Sequence, residues 1–477
     1  MSDKYINERC SVSEDGVFYY DNSDDQLINR SDIQRFILEN ENLSKDWNTY
    51  RHYYKSQNEK ILNAPPKKNG KPDNRLSLNY AKKLVDTYTG FAVGKPIQVT
   101  LQEDVANDSL SKFNRSRSMD ALFTKLWKES AIFGKTYAYV YGANGEIYVT
   151  DAPPTECFVI YDATVAHYPI YAVRYSKVGL SGQYKVHVYS DQYEYEYDSS
   201  TNSELSLGQR SSNPFGILPI IEFSENDERV SVIANVKSLI DELDKALSEK
   251  SNDVDYFADA YMKVLGAILT DKQLEDLRDM RIINLKSADS EDEPVETLDV
   301  DFLSKPNADT TQENLINRVV DNLYQLSMIV NLNDKDFGNS TGVALEMKYK
   351  PMMNLSVLKA RSFSESMKKM YQVVFASDLL EGINEEAYQD LEIHPQYDLP
   401  HDTLTEAQTA QALANLGISR TTWLKQISIV DDPRQEEKAM DDEHAKQIQE
   451  NLDVLKSNHS VTDGENNDDS STRKEED

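Results

Sequence analysis

Cysteine is nearly absent from this chain: Cys10 and Cys157 are the only two in 477 residues, and they stand far apart. A disulfide framework and a four-thiolate zinc site are thereby excluded, and free thiols fit a reducing compartment. Basic residues are also scarce, with 51 Lys and Arg against 82 Asp and Glu for a formal charge of −31. Ordinary duplex binding draws its affinity from cations that displace counterions, so that balance argues against it, as it does against docking on anionic lipid. No apolar run approaches the roughly 20 residues that span a bilayer. The opening "MSDKYINERC" lacks the apolar core of a signal peptide. A soluble protein made inside a cell is expected, with roughly two to four domains or one elongated subunit.

Catalytic motifs are missing as well. The seven histidines include no H-x-x-x-H pair of metalloprotease type. "GLSG" at 179–182 lacks the G-x-S-x-G spacing of a nucleophile elbow. If Asp334 opened a calcium loop in "NLNDKDFGNSTG", residues 331–342, Gly338 would fall at its fifth position and Leu345 where the bidentate glutamate belongs. "YTGFAVGKPIQVT", residues 88–100, comes nearest to a phosphate loop. Its Gly90 and Gly94 have three residues between them rather than four, and Pro96 stands where the magnesium-binding hydroxyl is needed. The order of elements is inverted too. Tyr80, Ala81, Leu84, Val85 and Tyr88 form a helical stripe before the glycines, and "IQVTL" alternates like a strand after them. No catalytic residue, metal or cofactor is expected.

What is present is a sequence of distinct regimes. The first 30 residues are polar and read as partly loose. Ser31 and Gln34 form a capping-box pattern before "IQRFIL", and a second helix is expected after Ser44, with Trp47, Tyr50, Tyr54 and Ile61 on one face. Between Lys60 and Lys83 there are seven Lys or Arg and one acid, Asp73. This basic island reads as a solvated loop or subunit contact ahead of a nucleic-acid contact. "MDALFTKLWKESAIF", 119–133, predicts a helix stopped by Gly134. Tyrosine-rich alternating runs follow, with turns expected at Gly142, at Asn144-Gly145 and at Gly182. Those tyrosines read as cross-strand packing rather than base-stacking platforms.

From Val232 through Val236, Leu239, Leu243, Leu247, Val254 and Phe257 to Tyr261 a helical stripe holds for about 30 residues, a rod of roughly 45 Å. A small acidic excursion separates it from a second long helix starting near Asp309, with Leu315, Val319, Leu323 and Leu326 as its stripe. "NLNDKDFGNSTG" interrupts the helices. Another long helical pattern follows, with Pro351 expected to kink or break it. Near the end, "LTEAQTAQALANLG" is closed by Gly417, and Asp432, Pro433 and Gln435 supply N-cap, N1 and N3 of the next helix. From about Ser457 the tail is almost free of large apolar residues and reads as disordered.

Three blocks then point to a family. "NRLSLNYAKKLVDTYTGFAVGKPIQV" resembles the N-terminal signature of portal (head–tail connector) proteins from long-tailed phages of Gram-positive bacteria, through Asn79, Val85, Asp86, Gly90 and Gly94 to Ile97. "STGVALEMKYKPM", 340–352, is similar to the family's Ser-Gly-x-Ala-Leu-Lys segment, with Thr341 inserted and Glu346 replacing the lysine. "LGISRTTWLKQISIVDDPRQEEKAMDDE", 416–443, is similar to its C-terminal segment.

The resemblance implies an α+β, predominantly helical, elongated portal-type subunit. It would comprise a mixed wing (1–225), a stem helix (226–262), a small clip (263–306), a second stem helix (307–330), a tunnel loop (331–342), a long helix returning to the wing (343–399), a helical crown (400–456) and an acidic tail (457–477). It also implies a ring, typically of twelve copies, at one capsid vertex, through which double-stranded DNA is packaged and ejected. The implied partners are the terminase large subunit, which supplies the energy, a head–tail adaptor, and the major capsid and scaffolding proteins, with no membrane. Assembly would take place in the host cytoplasm and the finished protein would reside in the virion. The implied DNA-channel residues are Asn331, Asn333, Asp334, Lys335 and Asp336 in the tunnel loop. Two other classes stay open at this point: a virion structural or adaptor protein without a channel, and a nucleotide hydrolase using the loop before Lys95.

Overall fold

The computed structural model describes residues 4–22, 27–67, 71–179, 183–199, 204–258, 262–265, 299–302, 309–333, 342–397, 403–427, 429–430 and 432–462. The chain divides into two compact units, Met1–Asp334 with Lys348–Asp398, and Lys335–Met347 with Leu399–Asp477.

The N-terminal residues, expected to be loose, instead form three short strands, β1 (Lys4–Tyr5), β2 (Cys10–Val12) and β3 (Phe18–Tyr20). Cys10, Val12, Phe18 and Tyr20 alternate inward, a period-two signal too brief to stand out among polar neighbours. Helix α1 (Arg30–Tyr54) then runs unbroken for 25 residues. Its N-cap is Asn29, whose Oδ1 accepts the Asp32 N–H at 2.9 Å, so the Ser31 pattern lies inside the helix. Ser44 starts no new helix; its hydroxyl donates to the Asn40 carbonyl at 2.7 Å, one turn back.

Short α2 (Glu59–Leu62) precedes α3 (Tyr80–Val93), which buries Ala81, Leu84, Val85 and Tyr88 as their spacing predicts. Strand β4 (Gln98–Thr100) follows, giving the expected helix, turn and strand. Next come α4 (Asp104–Ser116) and α5 (Met119–Phe133). Gly134 ends α5 at φ +89°, and a Cβ there would lie 1.9 Å from the Arg229 carbonyl oxygen. Only glycine meets both conditions.

The strand-rich region comprises β5 (Lys135–Ala143), β6 (Glu146–Ala152), β7 (Cys157–Asp162), β8 (Pro169–Val178), β9 (Gln183–Tyr189), β10 (Tyr193–Ser199), β11 (Leu205–Ser212) and β12 (Ile220–Ser224). Asn144 and Gly145 make the β5–β6 turn at φ +53° and +77°, as their pairing predicts. Gly142 belongs to β5 rather than to a turn, and Gly182 lies outside the described residues. An eight-stranded sheet runs β1-β2-β3-β7-β8-β9-β10-β11, with β3 parallel to β7. A three-stranded sheet runs β12-β5-β6. One core lies between α1 and the large sheet, where the Phe18 ring centre is 5.6 Å from Phe36 and 4.7 Å from Phe158. A second gathers Tyr137, Cys157, Val159, Ala172 and Tyr189. Tyrosines thus pack across strands, as in the pair Tyr141–Tyr148 at 5.5 Å.

The helical part begins with α6 (Lys237–Ala258). In the acidic excursion, β13 (Met262–Leu265) pairs antiparallel with β14 (Asp299–Phe302), and residues 266–298 lie outside the described residues. Then come α7 (Asp309–Ser327), α8 (Gly342–Phe375) and β15 (Glu392–His394), which pairs with β4. Pro351 does not break α8: it sits on the exposed side of a 34-residue helix.

The second unit holds α9 (Thr403–Asn415), α10 (Arg420–Leu424) and α11 (Pro433–Thr462). Gly417 closes α9 at φ +77°, where the Ile418 N–H reaches the Leu413 carbonyl at 3.2 Å. Asp432 Oδ1 caps α11 by accepting from the Arg434 and Gln435 N–H groups at 2.8 and 3.2 Å. Helix α11 continues past Ser457, where the tail was expected to begin, and residues 463–477 lie outside the described residues.

Candidate functional site

The near-miss phosphate loop is settled by its place in the fold. Gly90 is interior to α3, and Gly94 and Lys95 follow that helix instead of preceding one. A helix C-terminus presents free carbonyls and partial negative charge, which repel a phosphate. Among the described residues no group of three or more His, Cys, Asp or Glu could hold a metal ion. Nor is any helix there long and apolar enough to cross a membrane. Cys10 and Cys157 are buried free thiols, and burial pushes Cys10 up to about 12, far from a reactive thiolate at neutral pH.

The long helices are where the structure adds most. Helices α6 and α7 pack around Leu243, Ile316 and Val319, flanked by Leu239, Leu247 and Val320. Polar links reinforce this narrow core: Gln312 Nε2 donates to Asp253 Oδ2 at 3.2 Å, and Lys250 pairs with Glu313. Residues 71–79, in neither helix nor strand, run alongside α6. The N–H groups of Asn74, Leu76 and Leu78 donate to Asn252 Oδ1 (2.5 Å), Ser248 Oγ (2.9 Å) and Asp244 Oδ1 (2.9 Å). Two extended residues advance about 6.6 Å and four helical ones about 6 Å, so the rows stay in step. Asp244 is 0% exposed and also accepts from Asn58 Nδ2 at 2.9 Å. Burial raises its carboxyl above the ordinary range, opposed by the Leu78 N–H and the Asn58 amide.

This arrangement also accounts for the basic island. Lys60 pairs with Asp241 and Lys67 with Glu249, both at 2.6 Å and both reaching α6. Lys83 Nζ lies 5.5 Å from the ring centre of Tyr324 on α7. Arg75 and Lys82 pair locally with Asp73 and Asp86. The island therefore holds its own chain's helices, a role that neither the loop nor the nucleic-acid reading had assigned to it.

Two of the candidate tunnel-loop residues are described. Asn331, half-buried, and Asn333, exposed, follow α7 after Met328, whose φ is +60°. Asn331 Oδ1 accepts the Asn333 N–H at 3.1 Å, forming a local turn. Asp334, Lys335 and Asp336 lie outside the described residues.

A further polar feature leaves only a faint trace in the sequence. Lys359 of α8 is buried against Trp127, 4.3 Å from its ring centre, with Nζ donating to the Trp127 carbonyl at 2.8 Å and pairing with Glu225. Both side chains are at most 2% exposed. Burial lowers Lys359 to about 8 and raises Glu225, each partly offset by the other's charge. Burying two charges costs several kcal/mol per ion before their attraction is counted. The available signal was one lysine inside the apolar stripe Met352, Phe363, Met367 and Met370.

Two long packed helices, α6 and α7, in one compact unit with a mixed sheet region define the architecture of this chain. Residues 34–450 match the family described as phage portal protein, SPP1 Gp6-like, and the chain belongs to that family. It is 26% identical over 319 residues to the portal protein of Bacillus phage SPP1, covering 63% of this chain and 60% of that relative's length. Solved structures also align. A chain from the neck of a native gene transfer agent particle, computed with C12 symmetry, is 13% identical with a TM-score of 0.43, over 72% of this chain and 88% of that one. A chain from the virion of the native particle is 12% identical with a TM-score of 0.41, over 71% and 85%.

Proposed function

We propose that copies of this chain close into a ring, of twelve subunits, at one capsid vertex, and that double-stranded DNA passes through the ring during packaging and ejection. Membership of the portal family over residues 34–450 carries this reading. The helix pair supports it: Val254, Leu315 and Leu326 remain 63%, 47% and 62% exposed, apolar side chains that a neighbouring copy would cover.

On this reading residues 1–225 form the wing, 226–262 and 307–330 the stem, 263–306 the clip, 343–399 the helix returning to the wing and 400–456 the crown. The clip docks the terminase large subunit and later a head–tail adaptor, while capsid and scaffolding proteins surround the wing. The ring assembles in the host cytoplasm and ends in the virion. A formal charge of −31 keeps the passing genome ungripped, since like charge and few phosphate contacts leave it mobile. Asn331, Asn333, Asp334, Lys335 and Asp336 face the DNA with short polar groups and nearly balanced charge.

Reconstituted packaging with terminase, ATP and empty capsids tests the reading. Wild-type protein should appear as rings in negative-stain micrographs and hydrolyse no ATP alone. Asn333→Trp should leave the rings intact and reduce the DNA packaged per head. A monomer at every micromolar concentration and salt tried would overturn the ring, and normal packaging by Asn333→Trp would remove the loop from the channel.

A further inference from the structure

Among the buried residues described in α8, Met352, Ser356, Lys359, Ala360, Phe363, Met367, Met370, Tyr371 and Val374 recur at steps of three and four, and Lys359 alone is charged. Such a stripe fits its groove in more than one way. Sliding α8 by four residues puts Phe363 in the place of Lys359, Met367 in that of Phe363 and Tyr371 in that of Met367. These three exchanges put a large side chain in the place of a large one, and methionine adapts to irregular space, whereas Ser356 in the place of Met352 would leave a gap. Around Lys359 apolar contact therefore discriminates weakly between neighbouring registers.

The polar contacts do not. Lys359 Nζ meets two acceptors on two different elements, the Trp127 carbonyl in α5 and the carboxylate of Glu225 just after β12. Glu225 is itself held by its N–H, which donates to the Gly134 carbonyl at 2.8 Å. We propose that the Glu225–Lys359 pair is a register pin, which fixes the axial position of α8 against α5 and β12 and is not kept for net stability. A four-residue slip would carry the ammonium about 6 Å away and leave a buried carboxylate facing an aromatic ring.

The test compares wild type, Lys359→Met and the double variant Glu225→Leu/Lys359→Met in full-length protein. Chemical denaturation and a structure determination are carried out in whichever oligomeric state forms. The single variant should lose stability or fail to fold, since it strands a buried carboxylate. The double variant should fold with an unfolding midpoint no lower than wild type. In it, α8 should be displaced by four residues, about 6 Å, in some or all molecules, with the Tyr371–Asn114 hydrogen bond broken in the displaced ones. A double variant that holds α8 solely in the wild-type register overturns the pin. So does one that cannot fold, because the pair would then be needed for stability. Failure of wild type to form rings would overturn the proposed function and leave this comparison intact.

Discussion

Beneath the eight-stranded sheet, Phe18, Phe36 and Phe158 meet ring to ring and are each 0% exposed. The cluster between α6 and α7 comprises Leu243, Ile316 and Val319, and the ladder from residues 74–78 holds much of one side of α6. The sheet region is held by apolar area, which contributes about 25 cal/mol per Å² wherever it is removed from water. The helix pair depends more on directional bonds, each worth only about 0.5–1.5 kcal/mol net. A broad apolar core and a narrow one stitched by polar links are two ways of holding together elements of one compact unit.

Phe158→Ala probes the stronger side of that contrast and should have the largest effect. Truncating a fully buried phenylalanine typically costs about 3–5 kcal/mol, from lost transfer energy and the cavity left behind. Urea denaturation followed by tryptophan fluorescence should show a large fall in midpoint, with Trp47 and Trp127 reporting from the same unit. A loss below about 1 kcal/mol would mean that the aromatic cluster is not the principal support of this region.

Asp244→Ala addresses the ladder. It strands the Leu78 N–H and one Asn58 amide hydrogen bond in a buried setting, a cost of about 1–3 kcal/mol. The expected signature is local. Hydrogen exchange should accelerate over residues 71–79 and the neighbouring turns of α6, while the strands around Phe158 keep their protection. Uniform loss of protection in both places would abolish the distinction between the two regions.

What the sequence could announce follows the same division. Helices α3, α5 and α6 were legible because apolar spacing, with Gly134 as a stop for α5, is local information. The Asn144-Gly145 turn was legible for the same reason. Strands β1–β3 were not, because their two or three residues gain meaning only by joining the large sheet, β3 through its parallel pairing with β7. Helix α4 buries just Ala106, Leu110 and Phe113, a faint stripe among polar residues. The ladder joins Leu78 to Asp244 across 166 positions, and the pin joins Glu225 to Lys359 across 134. Neither leaves a spacing to read, although the basic island and the lone lysine in α8 were each visible as anomalies. The candidate tunnel-loop residues came from family resemblance, and physical reasoning from the residues alone would have left them a polar loop between helices.

The smallest effect concerns the charges that fasten the basic island to α6. Lys60 and Asp241 are 64% and 17% exposed, and Lys67 and Glu249 are 30% and 52% exposed. Water solvates such pairs well, and holding two long side chains in one geometry costs entropy, so each is worth about 0–1 kcal/mol. Lys67→Ala should therefore shift the unfolding midpoint by no more than that, and less at high salt, where a Debye length of about 3 Å at 1 M screens what remains. Lys60→Ala should cost slightly more, because Asp241 also accepts from the Tyr53 hydroxyl and from Asn58 Nδ2 at 3.1 Å and is left with one fewer counter-charge. Stability measured at low and high salt for both variants separates the outcomes. Losses that vanish with salt belong to exposed pairs helping a ladder that already holds. A salt-insensitive loss above about 1 kcal/mol would show that the lysines, rather than the row Asp244, Ser248 and Asn252, fasten the 71–79 segment to the helix.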